Sequence, residues 1–287
     1  MQTGYVRNYG FEAMLAYNHR WGDFGWDTSF TYSTNKNEIV ELVRNYVHPE
    51  TGVIYNVDKL ELKTNEGRGF GKAKFILKEG GTLGDLYTHA DLKRDINGNV
   101  LIDDDGNVTA VDNAGDIKLG SVLPKANLAW NNSFTYKGIN AGFLVTARLG
   151  GIVYSATQAY LDLYGVSETS AAARDAGGVW VNDRSQVNPQ SFYSVVASQS
   201  GLPTYYTYSA TNVRLQEAHI GYTIPRRWLG NVCDINVSLV GRNLWMIYCK
   251  APFDPEAVAT TNNYYQGIDY FMMPSTRNIG FNVKINF

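Results

Sequence analysis

Asn278-Ile279-Gly280-Phe281-Asn282-Val283-Lys284-Ile285-Asn286-Phe287 alternates strictly between two kinds of side chain. Successive side chains of a strand point to opposite faces, so Ile279, Phe281, Val283, Ile285 and Phe287 share one face. Asn278, Gly280, Asn282, Lys284 and Asn286 share the other. A helix would scatter the apolar residues around its axis; the period of two reads as a strand.

The same scheme recurs upstream. Within residues 234–247, Ile235, Val237, Leu239, Trp245 and Ile247 oppose Asp234, Asn236, Ser238 and Arg242. Residues 126–137 set Leu128, Trp130, Phe134 and Tyr136 against Asn127, Asn131, Ser133 and Thr135. Residues 25–34 set Trp26, Phe30 and Tyr32 against Asp27, Ser29, Thr31 and Ser33, and residues 9–19 alternate likewise. Residues 140–154 and 212–224 also alternate but slip phase, near Leu149 and Glu217, as a β-bulge would make them do. Residues 71–88 are a weaker candidate, for a total of about eight strands of about ten to fifteen residues. The chain reads as all-β.

Composition fits. The 287 residues include Tyr 20, Phe 12, Trp 6 and Gly 28, and strands favour aromatics. A net charge of −2 leaves no electrostatic footprint for nucleic acid. No apolar run reaches the ~18 residues of a membrane-spanning helix, which leaves a membrane β-barrel open. Residues 1–5 carry no charged start, apolar run or cleavage site, so no signal peptide is read there. Cys233 and Cys249 flank one strand and lie too far apart for a disulfide; both are expected to be free thiols.

Links between strands are of two kinds. Residues 20–24 and 137–140 are short, whereas 156–211 and 248–275 are far longer than the connections of a compact soluble domain. Membrane barrels combine short turns at one end with long loops at the other, on strands apolar outward and polar inward. Trp26, Trp130, Tyr154, Trp228 and Trp245 near strand ends suit an interfacial aromatic girdle. A soluble jelly roll with one buried face fits the periodicity equally well. Inside the long links, Asn188-Pro189-Gln190 followed by an apolar-spaced run to Gly201 predicts a short helix, and residues 167–176 a second.

From Asn212 onward the chain resembles the C-terminal part of SusC/RagA-type TonB-linked outer-membrane transporters. The resemblance rests on Asn212-Val213-Arg214-Leu215-Gln216-Glu217, Gly221-Tyr222-Thr223-Ile224-Pro225 and Gly241-Arg242-Asn243-Leu244-Trp245. It continues through Lys250-Ala251-Pro252-Phe253-Asp254-Pro255-Glu256, Asn263-Tyr264-Tyr265-Gln266-Gly267-Ile268-Asp269-Tyr270, Pro274-Ser275-Thr276-Arg277 and Gly280-Phe281-Asn282-Val283-Lys284. Upstream, Asn8-Tyr9-Gly10-Phe11-Glu12 and Asn35-Lys36-Asn37-Glu38 match more loosely.

The resemblance implies an antiparallel transmembrane β-barrel section: about eight strands of roughly 22, with long extracellular loops. Residues 1–287 would be the C-terminal part of the receptor, without its plug domain and TonB box. It implies a Gram-negative outer-membrane location and TonB-dependent import of a nutrient, an oligosaccharide or a peptide. Residues 156–211 and 248–275 would lie outside the cell, residues 137–140 and 225–232 in the periplasm. Implied partners are a SusD-type surface lipoprotein, the TonB complex acting through the missing N-terminal part, and outer-membrane lipid. Phe287 resembles the terminal signal read by the barrel assembly machinery.

No enzyme is expected. His19, His48, His89 and His219 are scattered, and there is no Gly-x-Ser-x-Gly elbow. The rival classes are a secreted lectin-like β-sandwich and a carbohydrate-active enzyme, which would need a paired carboxylate cleft. Asp95, Asn97, Asp103 and Asp105 lie beside tight glycine turns and suit a hard cation such as calcium, although the terminal glutamate of an EF-hand is lacking. No other cofactor is implied. Tyr205, Tyr206, Tyr208, Tyr264, Tyr265 and Tyr270 are candidate substrate contacts, since aromatic faces stack on the apolar faces of sugar rings, which suits a glycan or peptide funnel.

Overall fold

A computed structural model describes residues 4–62, 72–183, 185–260 and 266–287. Seven long strands pair in sequence order into one antiparallel meander. They are β1 (Tyr5–Trp21), β2 (Phe24–Glu41), β3 (Ala126–Tyr136), β4 (Ile139–Leu149), β5 (Asn212–Ile224), β6 (Asp234–Cys249) and β7 (Asn278–Asn286). A tilted strand of about 9–11 residues is enough to cross a bilayer, and β1 and β2, at 17 and 18 residues, exceed that length.

Register decides which side chains share a face. Leu239 lies opposite both Phe281 and Ile220, and Val237 opposite Val283 and Tyr222. Phe30 lies opposite Leu15 and Trp130. The apolar positions of every strand therefore merge into one continuous face, and none of the described residues covers it: Leu15 is 74% and Phe281 80% exposed. A lectin-like sandwich would close this face with a second sheet; its exposure removes that rival. The opposite face carries Asn8, Asp27, Ser29, Asn127, Asn131, Asn236, Arg242, Asn282 and Lys284, as the alternation requires.

Two tryptophans show how a polar group survives on the apolar face. Asn132 is buried there, and Trp26 Nε1 donates to its Oδ1 at 3.1 Å, while Trp130 Nε1 donates to Thr28 Oγ1 at 3.2 Å. Indole N–H groups seek such partners wherever water is scarce. At one end of the wall, Arg7 pairs with Glu38 at 2.9 Å and Lys36 lies 5.5 Å from the Tyr9 ring centroid. These charges mark where the apolar face stops.

Short and long connections segregate to opposite ends. Residues 22–23, 137–138 and 225–233 close one end; residues 42–125, 150–211 and 250–277 rise from the other. Lys137 and Gly138 both adopt positive φ, 46° and 88°, the conformation that a two-residue hairpin turn demands.

The long connections fold into a cap with its own core. Ala73, Phe75, Leu86, Tyr154, Leu202, Tyr206 and Ile268 are buried together there. A four-stranded sheet joins Lys59–Glu61, Ala73–Lys78, Asp85–Thr88 and Ile117–Ser121. Ile152–Ser155 pairs antiparallel with Thr207–Ser209 and parallel with Ile268–Asp269. Among the described residues, three α-helices complete the cap: α1 (Ala156–Leu163), α2 (Glu168–Asp175) and α3 (Pro189–Val196), N-capped by Ser155, Ser167 and Asn188. The two helices expected from sequence are α2 and α3.

Several expectations are corrected. Residues 71–88 supply no eighth wall strand; Ala73–Lys78 and Asp85–Thr88 belong to the cap, where side chains of both faces are buried. The slip near Glu217 is a bulge, with register shifts at Val213/Arg214 and Leu215/Glu217. The slip near Leu149 is the end of β4: Gly150 and Gly151, at φ 76° and 82°, turn the chain into the cap. Tyr154 therefore leaves the girdle, being fully buried in the cap core, and Trp130 lies well inside β3 rather than at its end. Both cysteines are free.

Candidate functional site

The cap meets the wall around Arg214. The register shifts in β5 carry this residue onto the polar face near the long-loop end, where loops fold over it until its side chain is only 4% exposed. Its guanidinium is spoken for on several sides. Nη2 donates to Asp254 Oδ1 at 2.8 Å and stands 3.2 Å from Glu256 Oε2; Nε donates to Asn212 Oδ1 at 3.2 Å. Arginine suits this position because its planar fork satisfies several acceptors at once.

Asp254 is the other half of the junction. Burial opposes its ionisation, yet donation from Arg214, from the Ser275 hydroxyl and from the Glu256 backbone N–H outweighs burial and holds the carboxyl below the usual range. Asn243, in a left-handed conformation at φ 51°, breaks the regular run of β6 and turns its amide toward the loop. Asn243 Nδ2 donates to Ser275 Oγ at 2.8 Å and to the Ser275 carbonyl at 3.3 Å. Arg214, Asn243, Asp254 and Ser275 come from four separate motifs of the sequence, and the fold brings them to one point. Sequence reading placed none of them in a site; the phase slip beside Arg214 was the available signal.

A second feature lies higher in the cap. A cavity of about 480 Å³ opens between the three helices, lined by Asp162, Tyr164, Arg174, Asn188, Gln190 and Tyr193 among others. Asp162 Oδ1 accepts from Gln158 Nε2 at 3.1 Å and from the Ser167 hydroxyl, so its carboxylate is fixed at the cavity floor. Arg174 Nη1 donates to the Gly165 carbonyl at 2.8 Å across the rim. One carboxylate and one guanidinium leave these lining residues without net charge. Volume and mixed lining are of the kind that holds a small polar ligand.

The candidate aromatic contacts divide. Tyr206 is 2% exposed and belongs to the cap core, which bars it from touching a ligand in this conformation. Burial pushes its phenol up, and that of Tyr208 as well. Tyr208 packs edge-on against Phe253 at 5.5 Å. Tyr205 packs on Phe192 at 6.0 Å, and Arg94 Nη2 donates to its hydroxyl at 3.4 Å. Tyr270 joins Tyr160 and Phe271 in a small aromatic cluster. Tyr264 and Tyr265 lie outside the described residues.

The oxygen-rich turns use their carboxylates locally. Asp95 Oδ1 accepts from the backbone N–H groups of Asn97 and Asn99, both at 2.8 Å. Donation from the Asn99 side chain and backbone holds the Asp95 carboxyl below its usual range. Asp103 repeats the arrangement with Asp105 and Asn107 at 3.1 and 2.7 Å. These are Asx turns that form two successive hairpin tips. Among the described residues, no group of three or more His, Cys, Asp or Glu side chains could hold a metal ion. Phe287 follows β7 and is exposed on the apolar side.

What this geometry offers is a wall with one apolar and one polar face, and a cap at one end. Comparison with known proteins agrees. No family model matches the chain. It is 25% identical over 309 residues to TonB-dependent receptor P3 of Formosa agariphila, covering 98% of this chain and 29% of that protein. TonB-dependent receptor P39 of the same organism is 22% identical over 322 residues. A solved structure of the RagAB peptide transporter superposes with a TM-score of 0.64 at 16% identity, covering 99% of this chain and 30% of that one. The chain thus spans about three tenths of the length of the relatives it matches.

Proposed function

We propose, from the premise that this chain is a β-barrel portion of a TonB-dependent receptor, that it works in the Gram-negative outer membrane as part of an importer for peptides or oligosaccharides. Its share of the work is barrel wall, lumen lining and extracellular mouth. The observation that carries this reading is the sidedness of the wall: one uncovered apolar face, one polar face, and every long connection at one end.

The roles follow from that sidedness. Outer-membrane lipid covers the face of Leu15, Leu239 and Phe281. The face of Asn127, Asn236, Arg242 and Asn282 lines a hydrated passage. The cap lies outside the cell, where a SusD-type surface lipoprotein closes over it. Energy enters through the TonB complex, acting on a part of the receptor outside this chain. Phe287 presents the assembly machinery with its terminal aromatic. Kinship with a peptide transporter of the same wall architecture supports peptides as cargo, and the uncharged balance of the cap cavity is equally compatible with a glycan.

The test is uptake by cells that produce the intact receptor, offered labelled peptide and oligosaccharide mixtures with and without a protonophore. Expected is accumulation of one class that the protonophore abolishes. Equal accumulation in cells lacking the receptor, or uptake indifferent to the protonophore, contradicts the reading.

A further inference from the structure

We infer that the cavity between α1, α2 and α3 is a binding site for the amino-terminal ammonium of a peptide, with the Asp162 carboxylate as its counter-ion. The site rests on the reading of the cap as the outer mouth of an importer, and it chooses between the two cargo classes named there.

Asp162 is a buried carboxylate that lacks a partner of opposite charge. It is 4% exposed, yet the groups that meet it are neutral. Gln158 Nε2 donates to Oδ1 at 3.1 Å, the Ser167 hydroxyl donates to the same oxygen, and the Tyr206 phenol lies beside the carboxylate. Among the described residues, no lysine, arginine or histidine forms an ion pair with it. Buried charges are ordinarily paired, because neutral donors only partly replace the lost water. This one instead lines a cavity of about 480 Å³.

Tyr193 lines the same cavity. It is 8% exposed, packs edge-on against Phe192 at 5.3 Å, and its hydroxyl bonds to no described residue. Burial first and the Asp162 charge second push its phenol up, so the two groups are neighbours. A buried tyrosine hydroxyl normally finds a partner; here its oxygen is free to accept from a ligand. Arg174 stands exposed at the rim, held by its bond to the Gly165 carbonyl and paired with no carboxylate among the described residues. Gly165, at φ 69°, permits that close approach: a Cβ there would meet Arg174 Nη1 at 2.9 Å. The cavity is neutral in sum but polarised along its depth, with the anion inside and the cation outside.

That polarity selects the ligand. A hard divalent cation takes six or more oxygen ligands, usually with several carboxylates, and Asp162 is the one carboxylate among the lining residues. A neutral sugar would leave the Asp162 charge uncompensated. An ammonium is a compact charge with three N–H donors, enough for Asp162 and Tyr193 together. In a peptide it is followed by carbonyl oxygens, to which the guanidinium fork of Arg174 can donate.

The experiment is saturation-transfer NMR of the purified intact receptor in detergent micelles at neutral pH, with trialanine, N-acetyl-trialanine and glucosamine as probes. Trialanine should bind, and acetylation should weaken it about tenfold, as expected for loss of a charge-assisted contact. Asp162→Asn keeps an oxygen for Gln158 and Ser167; it should weaken trialanine about tenfold and leave N-acetyl-trialanine at its wild-type value. Tyr193→Phe keeps the ring packing and should weaken trialanine about threefold, the effect of one lost hydrogen bond. Should Asp162→Asn weaken both peptides by loosening the cap, Tyr193→Phe decides: selective weakening of trialanine supports the site. No binding of trialanine, equal binding of the free and acetylated peptides, wild-type affinity in both variants, or glucosamine bound in preference to trialanine overturns it. Binding is measured apart from transport. A receptor that imports peptides but fails these tests contradicts the site alone, and one that binds trialanine here but imports nothing contradicts the proposed function alone.

Discussion

Wall and cap are made from the same chain by opposite rules. In the wall, strand neighbours supply the hydrogen bonds and the surroundings supply the apolar partner, so the residues that would form a core point outward: Phe11, Leu15, Leu239 and Phe281 are all exposed. In the cap, the apolar side chains turn on each other, and Phe75, Tyr154, Leu202 and Ile268 disappear from the surface. Exposure of an apolar residue therefore means something different in each region. On the proposed reading, exposure outside the cap marks a face turned to lipid, whereas burial inside the cap marks a separate set of packed side chains.

The sharpest way to break this contrast is to substitute a cap-core residue. Phe75→Ala should cost the cap about 3–5 kcal/mol, the range for a buried aromatic truncated to alanine. Protease nicking should rise within residues 73–121 while the receptor still assembles into the membrane. Loss of the whole receptor would mean that cap and wall are one cooperative unit.

The next effect belongs to the wall. Leu239→Arg, on the outward face, should cost about 2–4 kcal/mol if the position lies near the bilayer midplane. Asn282→Asp, on the polar face, should be far milder. Denaturant refolding into vesicles gives both numbers, and equal costs on the two faces would contradict the assignment of sides.

A smaller effect concerns acid. The Asp254 carboxyl is held below its usual range by Arg214 and Ser275 against the pull of burial. A depressed carboxylate contributes stability that is fully present above its unfolded value of about 3.9 and is lost as pH falls through the folded value. Cleavage within residues 250–277 should therefore be flat from neutral pH down to that region and rise only below it. In Asp254→Asn the rise should be much reduced. A rise already at mildly acidic pH would point to another group.

Where the sequence was legible, the reason is geometric. A strand wetted by lipid on one side and water on the other writes its orientation into every second residue, and register needs only the short turns at 22–23 and 137–138 to carry it across neighbours. The two helices with a clear N-cap, at Ser167 and Asn188, were legible for the same local reason. The cap was not. Its core joins residues from three connections far apart in sequence, so Tyr154 looked like a strand-end aromatic and Tyr206 like a ligand contact. Ala156–Leu163 was missed because the strand reading ran through Gly150 and Gly151, whose positive φ values end the wall there. Arg214 stood out in the sequence only as part of the stretch from Asn212 to Glu217; the folding of residues 250–256 over it makes it a junction.

The sidedness of the wall is tested most directly by a nitroxide scan of residues 279–285 in the intact receptor in lipid vesicles, comparing collision with oxygen and with a water-soluble nickel chelate. We expect oxygen to dominate at Ile279, Phe281, Val283 and Ile285, and nickel at Gly280, Asn282 and Lys284, in strict alternation. Equal accessibility on both sets, or nickel dominating throughout, would show that the apolar face meets water or protein rather than lipid.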